Sequence, residues 1–168
     1  ILNANDLCTA PFIDMICAAG VDSLKIEGRA KTFYYVASVT SAYRQALDAF
    51  LATPPGEDFL CPERVLDELD RTSHRRYSPG FYFGPQKARQ DAETGGYVRK
   101  WEFVGVVESW HEGLAKCTQR GKFTLGEELE ALTPTGEVVR LSPEWLRNAE
   151  CENITSTPHP MMLYTMPS

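Results

Sequence analysis

Between residues 34 and 51 the apolar positions recur mostly every three or four residues: Tyr35, Val39, Ala42, Tyr43, Ala46 and Phe50 make one stripe. That period predicts an amphipathic helix. Thr32 is its candidate N-cap, and Thr53-Pro54-Pro55-Gly56 ends it, because proline has no amide hydrogen to donate and restrains the residue before it. Just upstream the period is two. Leu24 and Ile26 alternate with Lys25 and Glu27, which predicts a strand over 23–27 that ends in Gly28-Arg29. Asn5-Asp6-Leu7 reads as the end of another strand. Phe12, Ile13, Ile16 and Ala19 read as the buried side of a short helix, with Pro11 in its first turn and Gly20 at its end. Residues 1–53 therefore read as strand end, helix, strand, helix. A parallel strand cannot stand alone, so this segment reads as the final βα part of something larger.

Residues 54–98 read as a connector. Pro62 starts a short helix in which Val65, Leu66 and Leu69 are expected to face inward. After Arg71 the chain turns basic and aromatic, with two prolines and two glycines among residues 73–85, and 86–96 is expected to be mobile. From residue 99 the period returns to two. Residues 101–110, 114–120, 123–126, 128–132, 137–141 and 161–165 are the candidate strands, with a brief helix over 143–148. Short strands at roughly ten-residue spacing with glycine turns suggest a small antiparallel barrel over 99–168. The fold class is α+β.

Composition narrows this picture. At 168 residues and 43% hydrophobic, the chain can bury one or two small cores. It has no apolar run of membrane-spanning length and no secretory leader, which points to the cytoplasm. It begins at Ile1 rather than Met, as a fragment would. Cys8, Cys17, Cys61, Cys117 and Cys151 are odd in number and never at Cys-x-x-Cys spacing, against a disulfide framework. The net charge of −6 argues against a wholly electrostatic nucleic-acid binder, but it is unevenly spread. Residues 71–100 carry seven basic and two acidic residues, leaving −11 for the remainder. Such a segment would either face phosphate or pair with the preceding Glu63, Asp67, Glu68 and Asp70.

Three groups of residues could carry chemistry. Lys25, Glu27 and Arg29 lie at a strand end just before a helix N-terminus, with Lys31 close behind, where free N–H groups and the helix dipole favour an anion. The alternative is an ion-pair network with no catalytic task. His74, Arg75, Arg76, Tyr77, Phe81 and Tyr82 interleave cations with aromatic rings, the means by which proteins grip unpaired RNA. The alternative is a hydrophobic anchor for the connector. Cys8 is the third, and by itself a lone cysteine is more often structural. There is no His-Glu-x-x-His, no Gly-x-Ser-x-Gly and no recognised Cys/His pair to support a peptidase.

Asn5-Asp6-Leu7-Cys8, Ala19 to Arg29 with its Lys-Ile-Glu-Gly-Arg block, Tyr34-Tyr35-Val36-Ala37, Ala42-Tyr43-Arg44, Ser73-His74-Arg75, Gly80-Phe81-Tyr82 and Phe103-Val104-Gly105-Val106-Val107 together resemble the U32 family. Its members are described as collagenase-like peptidases, while several bacterial ones are understood as RNA hydroxylation enzymes. Those act on tRNA uridine or ribosomal RNA cytidine and require prephenate. The resemblance implies that residues 1–53 close a modified (β/α) barrel whose earlier part lies upstream, and that 99–168 is an accessory β-barrel. It implies a 4Fe-4S cluster in the full-length protein, with Cys8 as one ligand, and none in this fragment alone. Lys25 and Arg29 would pair with the carboxylates of prephenate, with Glu27 orienting Arg29 or acting as an acid or base. RNA is then the expected partner, with no membrane. The unpaired strand edge suggests a possible homo-oligomer. Three functions follow: an RNA hydroxylase, a collagenase-like protease, or an isolated β-domain that binds RNA or protein. The fragment alone is expected to have no turnover.

Overall fold

The computed structural model describes residues 5–88 and 96–167. The chain divides into two compact units, Ile1–Trp101 and Glu102–Ser168. Residues 89–95, most of the stretch expected to be mobile, lie outside the described residues.

In the first unit, β1 (Asp6–Leu7) pairs in parallel with β2 (Tyr77–Ser78), Asp6 opposite Tyr77 and Leu7 opposite Ser78. A 3-10 turn at Ala10–Phe12 carries Pro11 and runs into α1 (Ile13–Ala18). The long helix α2 (Phe33–Ala52) starts as expected: Thr32 is extended and its Oγ1 accepts the Tyr35 amide at 3.2 Å. It stops at Thr53, whose extended backbone suits the proline that follows. Val39, Ala42 and Ala46 on its apolar stripe are buried against Cys8, Ala10, Ile13, Val65 and Leu69.

Helix α3 (Glu63–Asp70) differs from expectation in one face. Val65 and Leu69, four apart, point into the core, but Leu66 is exposed and Glu68 is buried in its place. Glu68 lies within one turn of both core residues, and Arg71 at 3.1 Å gives its carboxylate a partner. A larger difference concerns residues 21–28, which form no ladder. Alternation makes a segment strand-like, but a strand exists only where a neighbour accepts its hydrogen bonds. No such neighbour occurs among the described residues.

The second unit is antiparallel. A five-stranded sheet has the order β3-β4-β9-β7-β8, formed by β3 (Gly105–His111), β4 (Leu114–Gln119), β7 (Leu146–Asn148), β8 (Asn153–Ile154) and β9 (Leu163–Pro167). Strands β5 (Leu129–Leu132) and β6 (Val138–Leu141) form a separate hairpin. Glu112 and Gly113 both have positive φ and make the two-residue turn joining β3 to β4. The expected helix at 143–148 is instead the strand β7. Leu146 is fully buried while Arg147 points outward, and that alternation lets the segment pair with β9 and β8. The expected strand at 123–126 reduces to one bridge, Thr124 to Ser156, beside the buried ring of Phe123. Among the described residues, no helix is long and apolar enough to cross a membrane.

Candidate functional site

The first unit contains an open cavity of about 870 Å³, lined by residues of β1, of the segment 21–31 and of α2. Its construction begins with Asp6. The Asp6 carboxylate accepts the Arg75 amide at 3.0 Å and the Arg75 Nε at 2.9 Å, and pairs with Nη2 at 2.7 Å. The Asp6 amide in turn donates to Arg76 O at 3.0 Å. These bonds hold β2 against β1 and use up the charge of Arg75 in doing so.

Cys8 follows β1 and donates its amide to Ser78 O at 3.0 Å. Its side chain is buried and lines the cavity. Burial pushes the thiol up, partly offset by hydrogen bonds from its surroundings, including the Tyr43 hydroxyl. That same hydroxyl accepts the Thr9 amide at 2.9 Å and lies 3.2 Å from Thr9 Oγ1. Tyr43, Tyr35 and Tyr77 all edge the cavity, and burial raises each phenol above its usual range.

Lys25, Glu27 and Arg29 line the same cavity and are solvent-exposed. Lys25 Nζ is 3.9 Å from Glu27, whose Oε1 accepts the Arg29 amide at 3.0 Å. Glu27 is thus a local brace as well as a carboxylate facing the cavity. Lys31 also reaches the lining, but its ammonium donates to Ser73 O at 2.7 Å and lies between the rings of Tyr35 and Tyr97, at 4.9 and 4.8 Å. It anchors the segment that carries the other three.

Of the basic-aromatic residues, Arg75, Tyr77 and Tyr82 line the cavity, while His74, Arg76 and Phe81 do not. His74 is buried, with its ring nitrogens 2.6 Å from Arg75 O and 3.2 Å from Asp70 Oδ1, and its face stacked on Tyr77 at 3.9 Å. Asp70 also binds the Lys100 ammonium, which holds its carboxyl below the usual range. Tyr77 donates to Leu69 O at 3.1 Å. Arg76, Phe81 and Tyr82 remain exposed. The cavity therefore gathers Cys8, Lys25, Glu27 and Arg29 with one exposed ring from the basic-aromatic run. Asp6, Tyr35 and Tyr43 escape notice in the sequence as site residues. Two of them pass for apolar stripe positions, though a tyrosine in such a stripe brings a hydroxyl to the edge of the core.

This fold and cavity define an α+β chain with a polar centre in its first unit and an antiparallel sheet domain after it. Residues 1–92 match the model for Peptidase family U32, and residues 99–168 match that for the Peptidase family U32 C-terminal domain. The chain belongs to the U32 family. It is 31% identical over 166 residues to tRNA hydroxylation protein P1 of Bacillus subtilis, covering 96% of this chain and 39% of that protein. It is 34% identical over 161 residues to tRNA hydroxylation protein P of Escherichia coli, covering 94% and 34%. A Collagenase of Porphyromonas gingivalis is 27% identical over 158 residues, covering 88% and 41%. The chain thus spans between a third and about two-fifths of the length of these relatives.

Proposed function

We propose that this chain is the C-terminal part of an RNA hydroxylation enzyme and that the cavity of its first unit belongs to the active centre. The observation that carries this reading is the placing of Cys8, Lys25, Glu27 and Arg29 around one open volume. The two tRNA hydroxylation relatives are more similar to the chain than the collagenase is, which supports RNA rather than peptide as substrate. In this proposal residues 1–53 close a modified (β/α) barrel. The parallel β1–β2 pair and the unladdered segment 21–28, alternating in sequence like a strand, are what such a closing piece would contain. Residues 99–168 form the accessory β-barrel, and the protein works in the cytoplasm.

Lys25 and Arg29 would hold the carboxylates of prephenate at the rim, Arg29 through its planar fork. Glu27 fixes the backbone of Arg29 and would exchange a proton with a bound ligand. The described residues do not by themselves make an iron–sulfur site, since no three of their His, Cys, Asp or Glu side chains are placed to share a metal. Cys8 supplies one thiol at the cavity wall, and we propose it as one ligand of a 4Fe-4S cluster completed elsewhere in the full-length protein. When bound, such a cluster would supply electron transfer. RNA contact falls to Arg76, Phe81 and Tyr82, with His74, Arg75 and Tyr77 holding the segment in shape.

Two measurements test this. The full-length protein, expressed in an Escherichia coli strain lacking its own tRNA hydroxylation protein, should introduce hydroxylated uridine or cytidine detectable by mass spectrometry of digested RNA. Absence of any hydroxylated nucleoside, with cleavage of gelatin by the purified protein, would establish the protease reading instead. The second is iron content and visible absorption of the full-length protein purified without oxygen. Cys8→Ala should lose the cluster, and an unchanged spectrum would remove Cys8 as a ligand.

A further inference from the structure

We infer that the Tyr43 hydroxyl donates a hydrogen bond to the sulfur of Cys8 and thereby sets the reduction potential of the cluster this cysteine would ligate. The inference rests on the cluster proposed above and adds to it a tuning residue carried by this chain. Its ground is the way the hydroxyl's bonds are shared out. The Thr9 amide donates to the Tyr43 oxygen at 2.9 Å, which fixes that oxygen and leaves the hydroxyl one hydrogen to give. Two acceptors stand within reach, the Cys8 sulfur and Thr9 Oγ1, the latter at 3.2 Å. Thr9 Oγ1 carries a hydrogen of its own and can turn it toward the tyrosine oxygen, whereas a metal-bound thiolate can only accept. With iron on Cys8, the hydroxyl hydrogen belongs to the sulfur.

The sulfur is equipped for that state. Cys8 is buried, and the Ala10 backbone donates to its sulfur as well as the Tyr43 hydroxyl. Burial favours the protonated form of a free thiol, and a protonated sulfur is a weak acceptor with little use for two donors. A thiolate bound to iron is charged and shielded from water at this depth, and two donors aimed at it suit that charge. The second unit supplies a contrast. There the Cys117 sulfur meets one phenol, Tyr164, inside a packed cluster, while the Cys8 sulfur also borders the cavity. A hydrogen bond to a cluster sulfur strengthens as the cluster gains an electron, so it favours the reduced state and raises the potential. The phenol is the part of this donor set that a side-chain change can remove.

The test is a redox titration of the full-length protein, purified without oxygen and followed by visible absorption and electron paramagnetic resonance. Tyr43→Phe keeps the ring and should bind as much iron as the wild type. Its reduction equilibrium should shift about tenfold toward the oxidised form, which is about 59 mV downward for one electron. Thr9→Val keeps the amide that fixes the tyrosine oxygen, removes the competing acceptor, and should shift the equilibrium the opposite way. A Tyr43→Phe potential equal to that of the wild type, or a folded Tyr43→Phe protein without iron, would overturn the inference and leave the cluster standing. If circular dichroism shows that Tyr43→Phe does not fold, Thr9→Val decides: a raised potential supports the inference, and an unchanged or lowered one overturns it. A wild-type protein without iron, or a cluster that survives Cys8→Ala, would instead remove the reading on which the inference rests.

Discussion

In residues 102–168 the buried polar groups are closed off inside a sheet. Cys117 and Tyr164 sit opposite each other on β4 and β9 and belong to one packed cluster with Phe123 and Leu146. In residues 1–101 the corresponding groups, Cys8, Tyr43 and Tyr77, sit in the core on one side and edge an open cavity on the other. Burial raises the Cys8 and Cys117 thiols alike, and Cys8 shares its cavity with exposed cations and a carboxylate, whereas Cys117 sits in a packed cluster. Burial of polar atoms is therefore no guide to function by itself. Convergence around accessible volume is the better guide, and it is the ground for proposing that the chemistry belongs to the first unit.

The comparison can be broken most forcefully from the second unit. Phe123 is almost fully buried and meets Tyr164 edge-on at 5.6 Å, so Phe123→Ala should cost about 3–5 kcal/mol in urea unfolding of that unit. A much smaller loss would mean that this core is loosely packed and that the contrast is overstated. Next comes alkaline stability. Burial pushes the Cys117 thiol from 9.0 up to about 11. The unfolded thiol ionises near 9 while the native one keeps its proton, so the contribution is whole below pH 9 and declines as pH rises through the window. Cys117→Ser should flatten a fall of roughly 2–3 kcal/mol between those pH values, with the raised Tyr164 phenol contributing the remaining slope.

Two smaller effects sharpen the first unit. Asp6→Ala removes two hydrogen bonds and an ion-pair contact with Arg75 and should cost about 1–2 kcal/mol, discounted because both side chains are partly in solvent. Hydrogen exchange should rise across β1 and β2 together. Lys31→Met removes one hydrogen bond and two ring contacts, each worth about 1 kcal/mol or less. It should speed exchange over 22–30 while leaving the centre of α2 protected. Equal protection in both proteins would show that Lys31 does not anchor the segment.

Much of this was legible in the residues. The cap at Thr32, the stop at Thr53 and the stripe of α2 are local signals, and local signals survive in the fold. So did the short strands after residue 104, except that expected at 123–126. Three features were not legible, each because it depends on a partner distant in sequence. Residues 23–27 alternate like a strand but find no ladder neighbour among the described residues. Residues 143–148 look helical until β9 and β8 flank them. The cations of the basic run look equivalent in sequence, yet Arg75 is committed to Asp6, 69 residues away. Lys25, Glu27, Arg29 and Cys8 line one cavity because they flank elements that the core brings together.

The most direct test of the central claim compares hydroxylation rates of full-length protein altered at the cavity and at the second unit's sheet. Arg29→Ala and Glu27→Gln should each lower kcat/KM by at least about a hundredfold, an effect near 3 kcal/mol. Arg147→Ala, on the exposed face of β7, should stay within about twofold. Loss at Arg147 with full activity at Arg29 and Glu27 would move the active centre out of the first unit and contradict the account.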